Sequence, residues 1–300
     1  MASKDSQKKA AAVVPPHPME QLLRSERLPH IWCSGCGIGT VFGSVMAAVM
    51  KSGHDLDKIA VVSGIGCTAR MAGYIRLDSF HTTHGRAIPF ATGLKLARPD
   101  IKVLVISGDG DLLAIGGNHF IHAARRNMDI TVICVNNLIY GMTGGQLAPS
   151  TPFGAKTTTS AAGCPEEPFN FCYLASACGS VYVARWTTLH IRRVTNSISE
   201  AMQKKGFSFV EILTPCPTSF GRRNKIGSAL DTLKFYHARS VIRNDIDPRD
   251  APMDFNSNIV LGKFVDAERP TFMENYDTAR KGQIKDWLNV EEKQGRNEAI

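Results

Sequence analysis

The chain has 300 residues, 43% of them hydrophobic and 21% charged, with 35 basic against 27 acidic side chains and a formal charge of +8. That length bounds one large α/β domain or two small ones, and no apolar run reaches the roughly 18 residues that a membrane-spanning helix needs. The basic residues are scattered and interleave with no nucleic-acid motif, so the surplus charge reads as a solvated surface or as a face for an acidic partner.

The N-terminal stretch MASKDSQKKAAAVVPPHP has lysines but no apolar core of a secretory signal, and residues 1–20 read as a flexible tail. A cytoplasmic, reducing setting is expected. There the eight cysteines, too few for a disulfide scaffold, bind metal or do redox work where they are closely spaced. Cys33 and Cys36 share one short loop in HIWCSGCGIGT. Their spacing suits a zinc knuckle, a redox dithiol or half of an iron–sulfur site, and the choice depends on what the rest of the chain supplies.

Residues 38–51 follow with helical periodicity, Val41, Phe42, Val45 and Val49 falling on one face. From there, apolar runs alternate with amphipathic stretches. IAVVS (59–63), KVLVIS (102–107), ITVICV (130–135), VYVAR (181–185) and FSFVEIL (207–213) are short and apolar throughout, as strands buried on both faces of a parallel sheet are. Helical patterns occupy 86–98, 112–127, 169–178 and 188–205. The alternation predicts a doubly wound, mostly parallel α/β sheet. Ligands of such sheets gather at the carboxyl ends of the strands, where this chain places GIGCTAR, GDGD, NNLIYGMTGGQ and TPCPTSF. The stretch 142–168 is too long for a plain connection, which marks it as functional or disordered. Beyond residue 228 the periodicity fades, and the C-terminus is a charged, helix-like tail.

The pattern GDG at one strand end and NN at the next has a coherent chemistry; 25 residues lie between Gly110 and Asn136. Gly108 and Gly110 let backbone amides approach a phosphate, and a helix from about Leu112 would direct its N-terminus at the same anion. Asp109, the amide oxygen of Asn137 and the carbonyl of Ile139 offer Mg²⁺ three hard oxygens, leaving positions for a diphosphate and water. An Asp-Gly pair alone marks only a turn.

This pairing resembles the thiamine pyrophosphate signature. The wider set WCSGCG, GIGCTAR, HGRAIPFATGLKLARP, GDGD…IGGNH, NNLIYGMTGGQ…TP and TPCPT, in that order over about residues 28–228, resembles the β subunit of 2-oxoacid:ferredoxin oxidoreductases. The resemblance implies a thiamine diphosphate-binding (PP-type) and Fe–S-binding domain over 21–228 and an irregular extension over 229–300 that packs on the domain or on a partner. It assigns Gly66, Cys67, Thr68, Gly108, Asp109, Gly110, Asp111, Asn137, Ile139, Tyr140, Gly141 and Thr143 to the cofactor, with Asp109, Asn137 and Ile139 holding Mg²⁺. It sends one [4Fe–4S] cluster to Cys33, Cys36, Cys67 and Cys216. Pro215 and Pro217 would stiffen the last of these loops. Four thiolates suit such a cluster; a Cys₄ zinc site needs the same ligands, so residue types alone leave both open. Cys134 sits in an apolar strand, Cys172 and Cys178 in a helical run on different faces, and Cys164 in the long loop, its role open.

The implied reaction is oxidative decarboxylation of a 2-oxoacid to an acyl-coenzyme A and CO₂, with electrons passed to ferredoxin, or its reverse. No second domain supplies a carboxylate for the pyrimidine ring, so an α subunit is expected, in a dimer of αβ heterodimers, with the active site between the chains. His84 in TTHGR and Arg70, three residues after Cys67, are candidates to touch substrate; a packing histidine and a surface arginine are the bland alternatives. Some relatives carry Lys where this chain has Gly144, and its loss resembles members selective for 2-oxoglutarate. His119 and His122 read as structural, and Lys156 has no assigned role. A pyruvate or branched-chain 2-oxoacid enzyme and a non-catalytic, zinc-stabilised assembly subunit are the rival readings. A dinucleotide dehydrogenase lacks its G-x-G-x-x-G after the first strand.

Overall fold

A computed structural model describes residues 17–253 and 255–282. Six parallel strands form most of one sheet: β1 (Ile59–Ser63), β2 (Asp78–His81), β3 (Lys102–Gly108), β4 (Thr131–Asn136), β5 (Tyr182–Thr187) and β6 (Ser208–Leu213). Their spatial order is β2-β1-β3-β4-β6-β5. Two later strands complete it, β8 (Ile259–Asp266) running antiparallel to β5, and β7 (Ser240–Ile242) at the edge beside β8.

The strands are apolar on both sides because both sides are covered. Val61, Leu104, Ile106, Ile133 and Val210 pack under α1 (Ile38–Ser52) and α6 (Ile191–Gln203). Their neighbours Val62, Val103, Val105, Val132 and Phe209 point the other way. These meet α3 (Ala87–Ala97), α4 (Gly117–Arg125) and α5 (Phe171–Ala177). Burying one such aliphatic side chain stabilises the fold by roughly 1.5–3 kcal/mol, so a strand of five or six residues buried on two faces is a large share of the core.

Three features depart from the sequence expectations. β2 is exposed along its whole length and too short to leave a periodic signal; between it and β1 lie a 3₁₀ turn over Thr68–Arg70 and the four-residue α2 (Met71–Tyr74). The helix expected from Leu112 begins instead as a π-helical turn over Gly110–Ile115, and regular α-helix starts at Gly117. The segment after 228, expected to be irregular, supplies β7, β8, α7 (Ala229–Arg239) and α8 (Phe272–Arg280), the two helices each opened by a capping box, Ser228 with Asp231 and Thr271 with Glu274. Most of the expected tail at residues 1–20 and the charged C-terminal tail lie outside the described residues. Residues 18–22 form a 3₁₀ turn that buries Leu22, so the packed domain already begins there.

Candidate active site

From β1 the chain goes to β2 on one side and then crosses back past β1 to β3 on the other. The carboxyl ends of β1 and β3 therefore flank a topological switch point, where doubly wound sheets bind ligands. A cavity of about 70 Å³ opens there. Gly66, Cys67 and Thr68 line it from the loop after β1, His84 from the loop after β2, Gly108 to Asp111 from β3, and Asn137, Ile139, Tyr140, Gly141 and Thr143 from the loop after β4. Arg70 lies outside this wall, exposed on a short 3₁₀ turn.

Asp109 is 3% exposed and accepts a short hydrogen bond from the Ser150 hydroxyl. Burial pushes its carboxyl up to about 7 against the opposing pull of Ser150 and of backbone amides. No cation of the described residues pairs with it. A buried carboxylate with no counter-charge is costly, and the donor set of Asp109 and Asn137 suits a hard cation. Asn137 is 8% exposed, and its Oδ1 accepts from the Ile139 amide at 3.4 Å. Between them Leu138 adopts a left-handed φ of 67°, unusual for a residue with a branched side chain. Its amide donates to Asn136 Oδ1 at 3.1 Å and its carbonyl accepts from the Thr151 hydroxyl at 2.7 Å. Asn136 is held in turn by Glu211 at 2.8 Å, and Glu211 pairs with the wholly buried Arg185 at 2.7 Å.

Gly110 has a reason beyond phosphate access. A side chain there would collide with the Tyr140 ring, whose hydroxyl donates to the Gly110 carbonyl at 3.1 Å. Asp111 borders the cavity but spends its oxygens inside the chain. Oδ1 accepts from Ile65 N at 3.1 Å, Gly85 N at 2.8 Å and His84 Nδ1 at 2.5 Å, while Oδ2 accepts from the Ser107 hydroxyl at 2.8 Å. This side chain staples the loops after β1 and β2 to the end of β3. It also fixes the His84 ring, leaving Nε2 for the cavity.

The cysteines lie next door. Cys33, Cys36, Cys67 and Cys216 line one cavity of about 240 Å³. Cys67, Asn137, Gly141 and Met142 line both cavities, so the two share a wall. At Gly141 the approach is close: a Cβ would sit 3.5 Å from Cys216 Sγ and 3.9 Å from Cys67 Sγ. Cys36 and Cys67 are pushed up to about 11, first by burial and then by the neighbouring thiols. Four thiols around one cavity are a soft donor set that an inorganic centre could take up with release of their protons. Among the described residues no three His, Cys, Asp or Glu side chains are gathered closely enough to hold a single metal ion. The other cysteines are elsewhere: Cys134 and Cys172 are in the core, Cys164 is buried with Sγ directed at the Thr151 and Glu166 carbonyls, and Cys178 ends α5.

Sequence reasoning passed over the side chains that set these loops. Trp32 donates from its indole nitrogen to the Cys67 carbonyl at 2.8 Å and packs on Tyr74 and Phe42, tying the first cysteine loop to the second. Gly37 lets that loop press on Thr214 and Pro215, where any side chain would collide. Its amide donates to the Pro215 carbonyl at 3.4 Å. The stretch 142–168 is ordered by backbone pairs such as Thr158 N to Gly145 O and Gly154 N to Cys164 O, both 2.8 Å, and delivers Ser150 to Asp109. His119 and His122 lie on α4, and Thr143 bonds Gln146 at 2.7 Å.

Residues 59–212 match the C-terminal TPP-binding domain of thiamine pyrophosphate enzymes. The chain is 50% identical over 258 residues to the 2-oxoglutarate synthase subunit KorB of Methanocaldococcus jannaschii, covering 86% of this chain and 95% of that one. It is 38% identical over 224 residues to the β subunit of the 2-oxoacid:ferredoxin oxidoreductase of Saccharolobus solfataricus, covering 74% and 70%. In fold it is similar to a chain of the 2-oxoglutarate:ferredoxin oxidoreductase of Magnetococcus marinus, solved with 2-oxoglutarate, coenzyme A and succinyl-CoA bound. That match has a TM-score of 0.79 and 32% identity, and covers 90% of this chain and 92% of the other. Fold, site and kinship define a thiamine pyrophosphate enzyme of the oxidoreductase class, and the chain belongs to the β subunits of the 2-oxoacid:ferredoxin oxidoreductases.

Proposed function

We propose that this chain is the β subunit of an enzyme that oxidatively decarboxylates 2-oxoglutarate to succinyl-CoA and CO₂, or runs the reverse, in the cytoplasm and with ferredoxin as electron partner. The observation that carries the reading is the wall shared by the diphosphate-side cavity and the four-cysteine cavity. When bound, thiamine diphosphate supplies the carbon centre that takes up a 2-oxoacid, Mg²⁺ ties its diphosphate to the chain, and a [4Fe–4S] cluster accepts electrons singly.

The chain's own residues have separable tasks in this reading. Asp109, Asn137 and the Ile139 carbonyl hold Mg²⁺, with Ser150 orienting the carboxylate. Gly66, Thr68, Gly108, Gly110, Tyr140, Gly141 and Thr143 shape the diphosphate cradle. Cys33, Cys36, Cys67 and Cys216 hold the cluster. His84, its ring set by Asp111, faces the substrate side, and Arg70, with no ion-pair partner among the described residues, is offered to a substrate carboxylate. Gly144 follows the cavity-lining Thr143 and carries no side chain where some relatives have Lys, and the names of the relatives likewise support 2-oxoglutarate over pyruvate.

A cavity of about 70 Å³ is well below the roughly 300–1,000 Å³ of a self-contained ligand pocket. Exposed Ile65 and Met142 line it, and exposed Ile115 packs on Gly85 beside His84. A half-site with an apolar rim supports an α subunit that covers it, in a dimer of αβ heterodimers. The test is anaerobic purification of the co-expressed α and β chains, followed by metal and thiamine analysis and a viologen assay. About four irons per β chain, bound thiamine diphosphate and preference for 2-oxoglutarate over pyruvate are expected. A colourless protein holding one zinc per chain would refute the reading.

A further inference from the structure

Behind the turn that carries Asn137 lies a chamber that the catalytic site does not use. It measures about 210 Å³ and is walled by three parts of the chain. The long loop contributes Phe153 and Ala155, the segment after Cys216 contributes Phe220, and the C-terminal extension contributes Phe235 and Tyr236 of α7 and, beyond it, Phe255. Phe153 is 59% exposed, so the chamber opens to solvent. It shares Cys216 with the cysteine cavity and no residue with the thiamine-side cavity.

The wall is apolar and uncharged. No Asp, Glu, Lys, Arg or His lines it. Its few polar side chains are tied or turned elsewhere. Asn224 spends its amide on the Lys156 backbone at 2.7 and 3.1 Å and on the Phe220 carbonyl at 3.0 Å. The Thr232 hydroxyl donates to the Ser228 carbonyl at 3.4 Å. Thr214 Oγ1 faces Gly37, and Cys216 Sγ faces Gly141. What remains is five aromatic rings, of which Phe235 and Phe255 are stacked with centroids 6.2 Å apart. Such a wall rejects a charged 2-oxoacid or a phosphate, which would lose its hydration and gain no partner. It accepts a neutral ring, whose faces and edges pack on the others. The size agrees, since a protein cavity of about 150 Å³ with aliphatic and aromatic walls holds benzene.

Leu138 connects the chamber to the site. It lines the chamber, while its neighbours Asn137 and Ile139 line the thiamine-side cavity. Its φ of 67° is a conformation that a branched side chain keeps only where its surroundings fix it. Two hydrogen bonds fix the backbone, from Leu138 N to Asn136 Oδ1 and from the Thr151 hydroxyl to the Leu138 carbonyl. A molecule in the chamber adds packing contacts to the Leu138 side chain in the conformation that presents Asn137 and Ile139.

We infer that this chamber binds a small neutral aromatic molecule, between benzene and indole in size, and that its occupancy tightens the hold of the Asn137–Ile139 turn on thiamine diphosphate. The coupling is reciprocal, so bound thiamine diphosphate tightens the aromatic by the same factor. The inference rests on the reading above only for the residues that hold the diphosphate.

The test uses the α/β complex with fluorobenzene as probe. Binding is read by ¹⁹F NMR of the ligand. Thiamine diphosphate affinity is read by calorimetry on complex stripped of that cofactor by magnesium chelation, with and without saturating fluorobenzene. Fluorobenzene should bind the wild type with a Kd of about 1 mM or below and tighten thiamine diphosphate by about fivefold or more. Benzoate, the same ring with a charge, should bind roughly tenfold more weakly or worse. Ala155→Phe and, separately, Thr232→Met place apolar bulk in the chamber. Each should weaken fluorobenzene by roughly tenfold or more and abolish its effect on thiamine diphosphate, with wild-type iron content. No saturable binding to the wild-type complex, as when the α chain covers the chamber, overturns the proposal. So does wild-type fluorobenzene affinity in both variants, equal binding of benzoate, or a thiamine diphosphate affinity that fluorobenzene leaves unchanged. Failure of the underlying reading is separate: it would show as no thiamine diphosphate binding by the wild type with or without fluorobenzene.

Discussion

His84 Nδ1 stands 2.5 Å from Asp111 Oδ1, and the same carboxylate also receives the Ile65 and Gly85 amides and the Ser107 hydroxyl. One buried side chain thus fixes three strand-end loops and the ring that faces the cavity. Asp111→Asn turns an acceptor-only group into one that presents N–H to donors. It is expected to cost on the order of 2 kcal/mol, read as a lower urea midpoint. His84 is a third exposed in its side chain, so His84→Gln should leave the midpoint nearly unchanged while lowering kcat by about 10²-fold or more. Equal effects of the two substitutions on both quantities would contradict the division of labour.

Gly110 and Tyr140 are packed so that a methyl group on the glycine would overlap the ring. Gly110→Ala is expected to destabilise the isolated chain by about 1–3 kcal/mol and to weaken thiamine diphosphate binding more than tenfold. In Gly110→Ala/Tyr140→Ala the overlap is gone, so the two stability losses should be markedly non-additive. Thermal melts of the four proteins measure this; strict additivity would mean that the ring does not limit Gly110.

Arg185 and Glu211 are both fully buried, and Glu211 also holds Asn136 beneath the Leu138 turn. Arg185→Met leaves a buried carboxylate unpaired and should cost about 3–5 kcal/mol, while Arg185→Met/Glu211→Leu should recover much of that. The double variant still lacks the Asn136 anchor, so its affinity for thiamine diphosphate and Mg²⁺, followed by calorimetry, should stay below wild type even where its melting temperature returns.

The cysteines divide by place. Cys216→Ser should lose the cluster's iron and colour, whereas Cys164→Ser and Cys178→Ser should keep both, since those thiols lie apart from the shared cavity. Iron per chain after anaerobic purification distinguishes these outcomes. Loss of iron in Cys164→Ser would place a fifth cysteine in the ligand set.

The sheet is legible in the sequence because its central strands are apolar on both faces, as Leu104 and Val105 are, and are separated by helices long enough to show periodicity. β2 is not, since Asp78–His81 is short and exposed. Nor are β7, three residues long, and β8, which reaches the sheet by pairing with the distant β5. The loops that meet at the cavity could be named because GDG, NN and the cysteines are chemically distinctive. Their supports could not. Ser150 reaches Asp109 across 41 positions, and Glu211 looks like one polar residue in an apolar strand until Arg185 and Asn136 appear beside it. The glycines at 37 and 110 carry contacts that no local pattern encodes.

The central claim is that a thiamine-side half-site and a four-thiolate centre share the wall of Cys67, Asn137, Gly141 and Met142. It is tested most directly by following the visible absorption of the anaerobic α/β complex, without ferredoxin, when 2-oxoglutarate and coenzyme A are added. Wild type should bleach with substrate and with dithionite, whereas Asp109→Ala should keep its iron and bleach with dithionite alone. Bleaching of Asp109→Ala by 2-oxoglutarate at the wild-type rate, or an iron-replete wild type that substrate leaves coloured, would contradict the account.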